Sequence, residues 1–236
     1  MKVLLLGATG TIGASTARAL QQQGHETVCV LRAPSAQLPH VTSVFADPCD
    51  PRTWGGTLRE GAPFDAVISC LASRTGTPRD AWRVDYQAHI DILEAVQQAG
   101  IKHFVLLSAI CVQKPRLAFQ KAKLRFEQAL MASGMTYSIV RPTAYFKSLS
   151  GQLERVRNGK TFLVFGNGLG TACKPISDRD LADYLSGCLT DTNRHQKILP
   201  IGGPGDAITP IAQAKPFSKR WVSPPASPMY RCACWM

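Results

Sequence analysis

The sequence lacks several features that would place it in other classes of protein. Its longest apolar stretch, Phe104 to Val112, is too short to span a bilayer and is typical of a buried parallel strand. None of the eight cysteines forms a Cys-x-x-Cys pair, which favours reduced, mostly buried thiols over metal sites or disulfides. The basic residues form no dense run with interleaved aromatics, so no nucleic-acid partner is expected. These features agree with a soluble, cytosolic enzyme.

Length and charge agree with that class. The 236 residues are enough for one main domain, or for one domain with a small lobe. The net charge of +11 suits phosphates and acidic substrates. The chain enters its first predicted strand at once, so the sequence predicts neither a signal nor a transit peptide.

A glycine-rich turn is the most informative motif. It follows the apolar run Val3–Leu6 and opens a helical stretch over residues 14–23, and a second strand at Glu26–Leu31 completes a βαβ unit. Three glycines at spacings of three let the backbone approach a pyrophosphate, whose charge lies at the helix N-terminus. Strand, turn and helix together predict a dinucleotide site. Its residues are Gly7, Thr9, Gly10, Thr11, Ile12 and Gly13.

Arg32 indicates which dinucleotide is bound. A site selective for NAD has a carboxylate at the end of the second strand, where it holds the ribose 2′-hydroxyl, whereas a 2′-phosphate needs a cation. Here the strand ends in Arg32, and no acidic residue occurs between Arg32 and Asp47. An ordinary solvated arginine is the alternative. The sequence favours NADPH.

Strands alternate with helices along most of the chain. The pattern predicts a doubly wound parallel α/β sheet, a Rossmann-like fold with a small C-terminal substrate lobe. One helix is expected over Asp80–Gln98 and another over Phe119–Ala132. The predicted divisions are an NADP-binding domain over 1–150, a small substrate lobe plus a returning strand over 151–210, and an atypical tail over 211–236.

Polar residues lie at or just after the ends of four predicted strands. They are Asp47, Ser73, Ser108 and Arg141. Ligands of such sheets bind outside the carboxyl ends of the strands, so these residues are expected to line one crevice. Asp47 is placed to contact the adenine, and Leu71-Ala72-Ser73 to run along the cofactor. Each alone is equally well explained as loop chemistry or capping.

These motifs resemble the short-chain dehydrogenase/reductase family, in its atypical branch. Gly7, Gly10 and Gly13 match its glycine turn, and Ser108 its active-site serine. Its Tyr-x-x-x-Lys pair is half matched, because Lys123 is present while Phe119 replaces the tyrosine. Phenylalanine has no proton to give to a carbonyl oxygen, so the departure favours hydride transfer to a carbon–carbon double bond. A non-catalytic dinucleotide-binding protein is the alternative.

Longer blocks resemble the divinyl chlorophyllide a 8-vinyl-reductase family of photosynthetic bacteria and plants. They are Val105–Pro115, Phe119–Leu124, Tyr137–Ala144, Phe146–Leu149 and Cys173–Ser177. The resemblance runs from about Lys2 to about Pro210. It implies NADPH-dependent reduction of the 8-vinyl group of a tetrapyrrole, a chlorophyll precursor, to ethyl. Because no transit peptide is predicted, we expect a bacterial protein of the cytoplasm, with a peripheral membrane contact and the oligomeric state left open.

Three residues are assigned to the chemistry that the resemblance implies. Lys123 is expected to bind the nicotinamide ribose and to stabilise charge that develops in the macrocycle. Ser108 is expected to face the substrate or the cofactor. Tyr145 follows the sixth strand and is a candidate proton donor, although a core aromatic or a water donor are alternatives.

The substrate side is assigned to residues beyond the sixth strand. Lys147 and Lys174 are expected to pair with the pigment's carboxylates, unless they are merely solvated. An apolar wall for a flat pigment is expected from Phe146, Leu149, Phe162 and Phe165, which equally fit the core of the small lobe.

The end of the chain departs from the pattern. Residues 211–236 have four prolines and neither helical nor strand periodicity, which predicts disorder or loose docking. A frameshift or truncation is the simplest explanation of this segment and predicts little or no reductase activity in this chain, whereas a genuine but divergent tail is the alternative. Three function classes stay open: the vinyl reductase, a reductase of another conjugated alkene or a quinone, and a redox sensor that binds NADPH without turnover.

Overall fold

A computed structural model describes residues 1–34, 38–39, 41–164, 166–170 and 172–215, together with a short strand at 221–222. Its centre is a seven-stranded parallel sheet in the order β3-β2-β1-β4-β5-β6-β8. The predicted doubly wound α/β fold is therefore confirmed. The strands of the sheet are β1 (Lys2–Leu6), β2 (Glu26–Leu31), β3 (Thr42–Phe45), β4 (Ala66–Ser69), β5 (His103–Leu107), β6 (Thr136–Pro142) and β8 (Lys197–Ile201).

The sheet is covered by helices on both faces, which explains why its central strands are apolar runs. One face packs on α1 (Thr11–Gln22) and α7 (Asp178–Gly187), where Leu20 and Leu185 are fully buried. The other face packs on α3 (His89–Gln98) and α4 (Ala118–Ala132). The remaining helices are α2 (Pro78–Ala81), α5 (Phe146–Leu149), α6 (Leu153–Arg157) and α8 (Pro210–Ala214).

The predicted single helix over Asp80–Gln98 is interrupted. After α2 the chain forms a π-helical turn, Trp82–Ala88, and only then continues as α3. Two polar residues on the inner face, Asp85 and His89, are buried there. Single π turns inside helices are rare and concentrate at functional sites, and this one lies beside the end of β4.

The predicted small lobe, 151–210, is only partly separate from the sheet. Helix α7 packs on α1, and β8 pairs with β6, so both belong to the main domain. A second small core consists of Val156, Phe162, Val164 and Ala214. Strand β7 (Phe162–Leu163) pairs in parallel with β9 (Trp221–Val222).

The predicted tail begins inside an element that periodicity did not predict. Helix α8 covers Pro210–Ala214, and the Thr209 hydroxyl accepts the backbone N–H of Ala212 at 3.2 Å as its cap. Residues 216–220 and 223–236 lie outside the described part of the chain, so the expectation of disorder there stays a prediction. No helix in the described ranges has the length and apolar character needed to cross a bilayer.

Candidate dinucleotide-binding site

A cleft of about 810 Å³ opens at the carboxyl ends of β1, β2 and β4. It brings together most of the residues that the sequence assigned to the cofactor. Its lining includes Gly7, Thr9, Gly10, Thr11, Ile12, Gly13, Arg32, Asp47, Leu71, Ala72 and Ser73, and also Tyr145 and Lys147. Lys123, Ser108, Arg141, Phe146 and Lys174 are not part of that lining.

The glycine turn has the geometry that a dinucleotide requires. Gly7 has φ +79°, and a Cβ there would lie 2.7 Å from the backbone of Cys70. A Cβ on Gly13 would lie 2.1 Å from the carbonyl oxygen of Gly7. A Cβ on Gly10 would meet no chain atom closer than 3.4 Å. Gly7 and Gly13 are therefore needed by the fold, whereas Gly10 leaves space free for a ligand.

The N-terminus of α1 is prepared for an anion. Its first turn contains no acidic residue, and Gly10 offers no side-chain cap. Within the described residues, the backbone N–H groups of Thr11, Ile12 and Gly13 donate to no acceptor of the chain. Unpaired N–H groups and the positive end of the helix dipole favour a phosphate at this point. The residues present thus fit a pyrophosphate.

The two residues expected to contact the adenosine half lie after β2 and after β3. Arg32 is exposed, lines the cleft, and forms no ion pair within the described residues. Asp47 also lines the cleft, and its Oδ1 accepts the backbone N–H of Cys49 at 3.0 Å. Both residues lie where the sequence placed them.

A buried ion pair supports the loop after β4. The carboxylate of Asp85 accepts both the hydroxyl of Ser73, at 2.5 Å, and its backbone N–H, at 3.3 Å. Lys123 Nζ lies 3.1 Å from Asp85 Oδ1, and both side chains are buried. Lys123 is not part of the cleft lining and its ammonium is paired with Asp85, so its expected contact with the cofactor stays a prediction. Sequence reasoning missed Asp85, although its position on the apolar face of a predicted helix was a usable signal.

His89 continues the same buried network. Its Nε2 lies 2.9 Å from the hydroxyl oxygen of Ser69, and its Nδ1 lies 2.8 Å from the carbonyl oxygen of Val84. Burial, together with the nearby Lys123 ammonium, lowers the pKa of His89 to about 4. The imidazole is therefore neutral at physiological pH and acts as a structural link between the π turn and β4.

A second buried carboxylate, Glu127, contacts two more predicted site residues. The Ser108 hydroxyl donates to Glu127, and Arg141 forms an ion pair with the same carboxylate. Arg141 Nε lies 3.2 Å from each carboxylate oxygen. Ser108 and Arg141 are not part of the cleft lining, and their expected contacts with the substrate or the cofactor stay predictions. A buried carboxylate needs hydrogen bonds and a cation, and Glu127 obtains both from these residues.

The segment after β6 returns to the cleft. Tyr145 lines it, and burial raises the pKa of the phenol well above its usual range. Lys147 also lines it, and its Nζ donates to the Thr11 hydroxyl oxygen at 2.8 Å. The lysine that the sequence assigned to the substrate therefore lies beside the glycine turn.

The predicted substrate residues divide into three groups. Phe146 is 54% exposed, and Lys174 is also exposed. Phe162 lies in the core of the small cluster, as the alternative interpretation expected. Phe165 and the side chain of Leu149 lie outside the described residues.

The thiols are unreactive in this setting. Cys29 is fully buried, while Cys70 borders the cleft. Burial raises the pKa of each thiol to about 12, so both remain protonated and are poor nucleophiles.

Two curated relatives are similar to this chain over most of its length. The chain is 48% identical, over 230 residues, to the chloroplastic divinyl chlorophyllide a 8-vinyl-reductase of Oryza sativa subsp. indica. That match covers 90% of this chain and 57% of the relative, so the chain spans little more than half of the relative's length. It is 31% identical to the photosystem II assembly factor Ycf39 of Synechocystis sp., over 86% of this chain and 63% of that protein. The resemblance read from the sequence is confirmed.

A solved structure shares the fold, and one family profile matches most of the chain. A UDP-glucose 4-epimerase from Thermotoga maritima has a TM-score of 0.84 at 16% identity, covering 100% of this chain and 88% of that one, which shows the shared fold. A family profile described as NAD(P)H-binding matches residues 7–192. That span includes the glycine turn, Arg32 and the loop at residues 71–73, so the expected dinucleotide cofactor is borne out. The chain belongs to this NAD(P)H-binding family.

Proposed function

We propose that this chain catalyses NADPH-dependent reduction of the 8-vinyl group of divinyl chlorophyllide a, or of divinyl protochlorophyllide, to ethyl. The observation that carries the proposal is the 48% identity, over 90% of the chain, with a protein of that name. The cleft adds independent support, because it combines a pyrophosphate cradle with a cation for a 2′-phosphate. When bound, the dinucleotide supplies the hydride.

Arg32 favours NADPH over NADH. Its guanidinium stands at the end of β2, in the cleft and without a carboxylate partner in the described chain. A phosphate on the ribose 2′-oxygen gives this cation an anionic partner, which a hydroxyl does not.

The residues around the reacting end suit an alkene better than a carbonyl. Phe119 stands where a carbonyl reductase needs a tyrosine, and the Ser108 hydroxyl is taken up by Glu127. Neither group is therefore placed to protonate a carbonyl oxygen. Reduction of a conjugated vinyl group requires a proton at carbon only after the hydride has been added.

Tyr145 is the residue to which we assign that proton. It lines the cleft beside Leu107, at the carboxyl end of β5. Burial raises the pKa of its phenol, so Tyr145 stays protonated at neutral pH. A carbanionic centre is a much stronger base than a phenolate, so this proton transfer is still downhill.

Phe146 and Lys174 are assigned to the pigment. Phe146 is more than half exposed next to the cleft residue Tyr145, which makes it an apolar surface for a flat macrocycle. The exposed ammonium of Lys174 is assigned to a propionate carboxylate. Both assignments rest on position alone.

A non-catalytic role is the second candidate. The burial of Lys123 and Ser108 in ion-paired networks removes two residues that short-chain reductases use in catalysis. The similarity to an assembly factor of photosystem II favours the same interpretation. Such a protein binds NADPH and a partner protein without turning over a pigment.

One assay separates the two candidates. The protein is incubated with NADPH and divinyl chlorophyllide. The pigment is then separated by chromatography, and its molecular mass is measured by mass spectrometry. The reductase produces a pigment that has gained two hydrogen atoms, with equal consumption of NADPH. An unchanged pigment, in a sample that binds NADPH, would refute the reductase and favour the binding protein.

A further inference from the structure

Lys147 contacts a residue that is far from it in the sequence. Its Nζ donates to the Thr11 hydroxyl oxygen at 2.8 Å, although the two residues are 136 positions apart in sequence. Thr11 is the first residue of α1 and lies inside the glycine-rich turn. The lysine ammonium therefore lies at the end of α1 where the pyrophosphate cradle is formed.

The backbone before Lys147 is firmly anchored. Thr143 donates its N–H to the Ile201 carbonyl at 2.9 Å, and Phe146 donates its N–H to the Ile176 carbonyl at 3.3 Å. Ile176 donates in return to the carbonyl of Ala144 at 3.0 Å. Lys147 thus extends from a fixed base toward the cleft, which restricts where its ammonium can lie.

The charge at this point is unbalanced within the chain. Lys147 forms no ion pair among the described residues, and the first turn of α1 contains no acid. The two carboxylates of the cleft are engaged elsewhere, Asp47 with the N–H of Cys49 and Asp80 with Thr75 and Arg83. An ammonium beside the positive end of a helix dipole is unfavourable unless an anion lies between them.

We propose that Lys147 binds the pyrophosphate of the dinucleotide, beside Thr11 of the glycine turn, and does not bind the pigment's carboxylates. The proposal deepens the proposed function, since it assigns a residue to the same cofactor site. It predicts that Lys147 contributes equally to NADPH and NADH, because both contain the pyrophosphate. Arg32, in contrast, contributes to NADPH alone.

Dissociation constants measured by calorimetry test the proposal without any pigment. Lys147→Met should weaken NADPH and NADH by the same factor, about tenfold, which is typical of one charged hydrogen bond lost at an exposed site. Lys147→Arg should recover most of that loss. Adenosine 2′-phosphate contains no pyrophosphate, so its affinity should not change in Lys147→Met.

Lys121 provides a matched control. It is an exposed lysine on α4, outside the cleft, and Lys121→Met should leave all three ligands unaffected. Unchanged NADPH affinity in Lys147→Met would overturn the proposal, and so would an equal loss for adenosine 2′-phosphate. A raised pigment KM with unchanged NADPH binding would return Lys147 to the substrate. These binding results are independent of turnover, so a failure of the reductase assignment leaves them interpretable.

Discussion

Replacing Lys123 by methionine tests what this lysine does. Its ammonium lies 3.1 Å from Asp85 Oδ1, and Asp85 is fully buried. Lys123→Met keeps an unbranched apolar side chain of nearly the same length and removes its charge, so the Asp85 carboxylate stays buried without its cation. Removing one partner of a buried pair costs about 3–5 kcal/mol. Ser73 still donates twice to Asp85, so we expect a loss near the lower limit, about 3 kcal/mol.

The effect should reach the cleft through the loop at residues 71–73. Ser73 lines the cleft and is held by the same carboxylate that Lys123 neutralises. We therefore expect weaker NADPH binding together with the lower free energy of unfolding. Urea denaturation measures the stability, and fluorescence titration with NADPH measures the binding.

A double variant gives the matched control. In Lys123→Met with Asp85→Asn, no buried charge is left alone, and the amide oxygen still accepts from Ser73. The double variant should therefore be more stable than Lys123→Met, by roughly 1–3 kcal/mol. If Lys123→Met instead kept full stability and lost only turnover or NADPH binding, the ammonium would act on the cofactor directly and the positioning argument would be refuted.

Three further outcomes follow from the same geometry. Arg32→Asp should weaken NADPH about tenfold or more and leave NADH nearly unchanged, and equal losses in paired titrations would remove Arg32 from the site. Phe119→Tyr should not raise pigment turnover, because an alkene offers no carbonyl oxygen to protonate; a severalfold gain would contradict this. Burial lowers the pKa of His89 and His103 to about 4, from 6.5 when exposed. Stability present above pH 6.5 should therefore fall by roughly 1 kcal/mol per pH unit for each imidazole as the pH drops toward 4. Urea midpoints at several pH values measure this, and His103→Asn should show a shallower decline.

The sheet was predictable because its physical requirements leave clear marks on the sequence. A parallel strand covered on both faces must be apolar, and β2 occupies the residues predicted for it, Glu26–Leu31. The glycine turn was equally clear, since Gly7 and Gly13 occupy positions where any Cβ would collide with backbone. The interruption by the π turn was not predictable, because the apolar stripe continues through it with ordinary helical spacing.

Strand ends, in contrast, do not reveal where a side chain points. Ser73 follows the end of β4 by four residues and Ser108 directly follows β5, yet only Ser73 lines the cleft. The difference comes from α4, which places Glu127 under Ser108, 19 residues further along the chain. No local pattern in the sequence indicates such a partner. The predicted crevice therefore lies at the expected edge of the sheet, but two of the four polar residues predicted to line it, Ser108 and Arg141, are not in its lining.

Buried acids explain why two basic residues predicted for the cofactor site are absent from the lining of the cleft. Helices bring Asp85 and Glu127 beneath the carboxyl edge of the sheet, where an ionised carboxylate without a cation costs several kcal/mol. Lys123 and Arg141 satisfy them and are thereby withdrawn from the cleft. The cleft cations without a carboxylate partner in the described chain are Arg32, Arg74 and Lys147. A basic residue at a strand end is thus a good prediction for a phosphate contact only when no buried acid lies within its reach. Of the three cations that meet this condition, we assign Arg32 to the 2′-phosphate and Lys147 to the pyrophosphate of the dinucleotide.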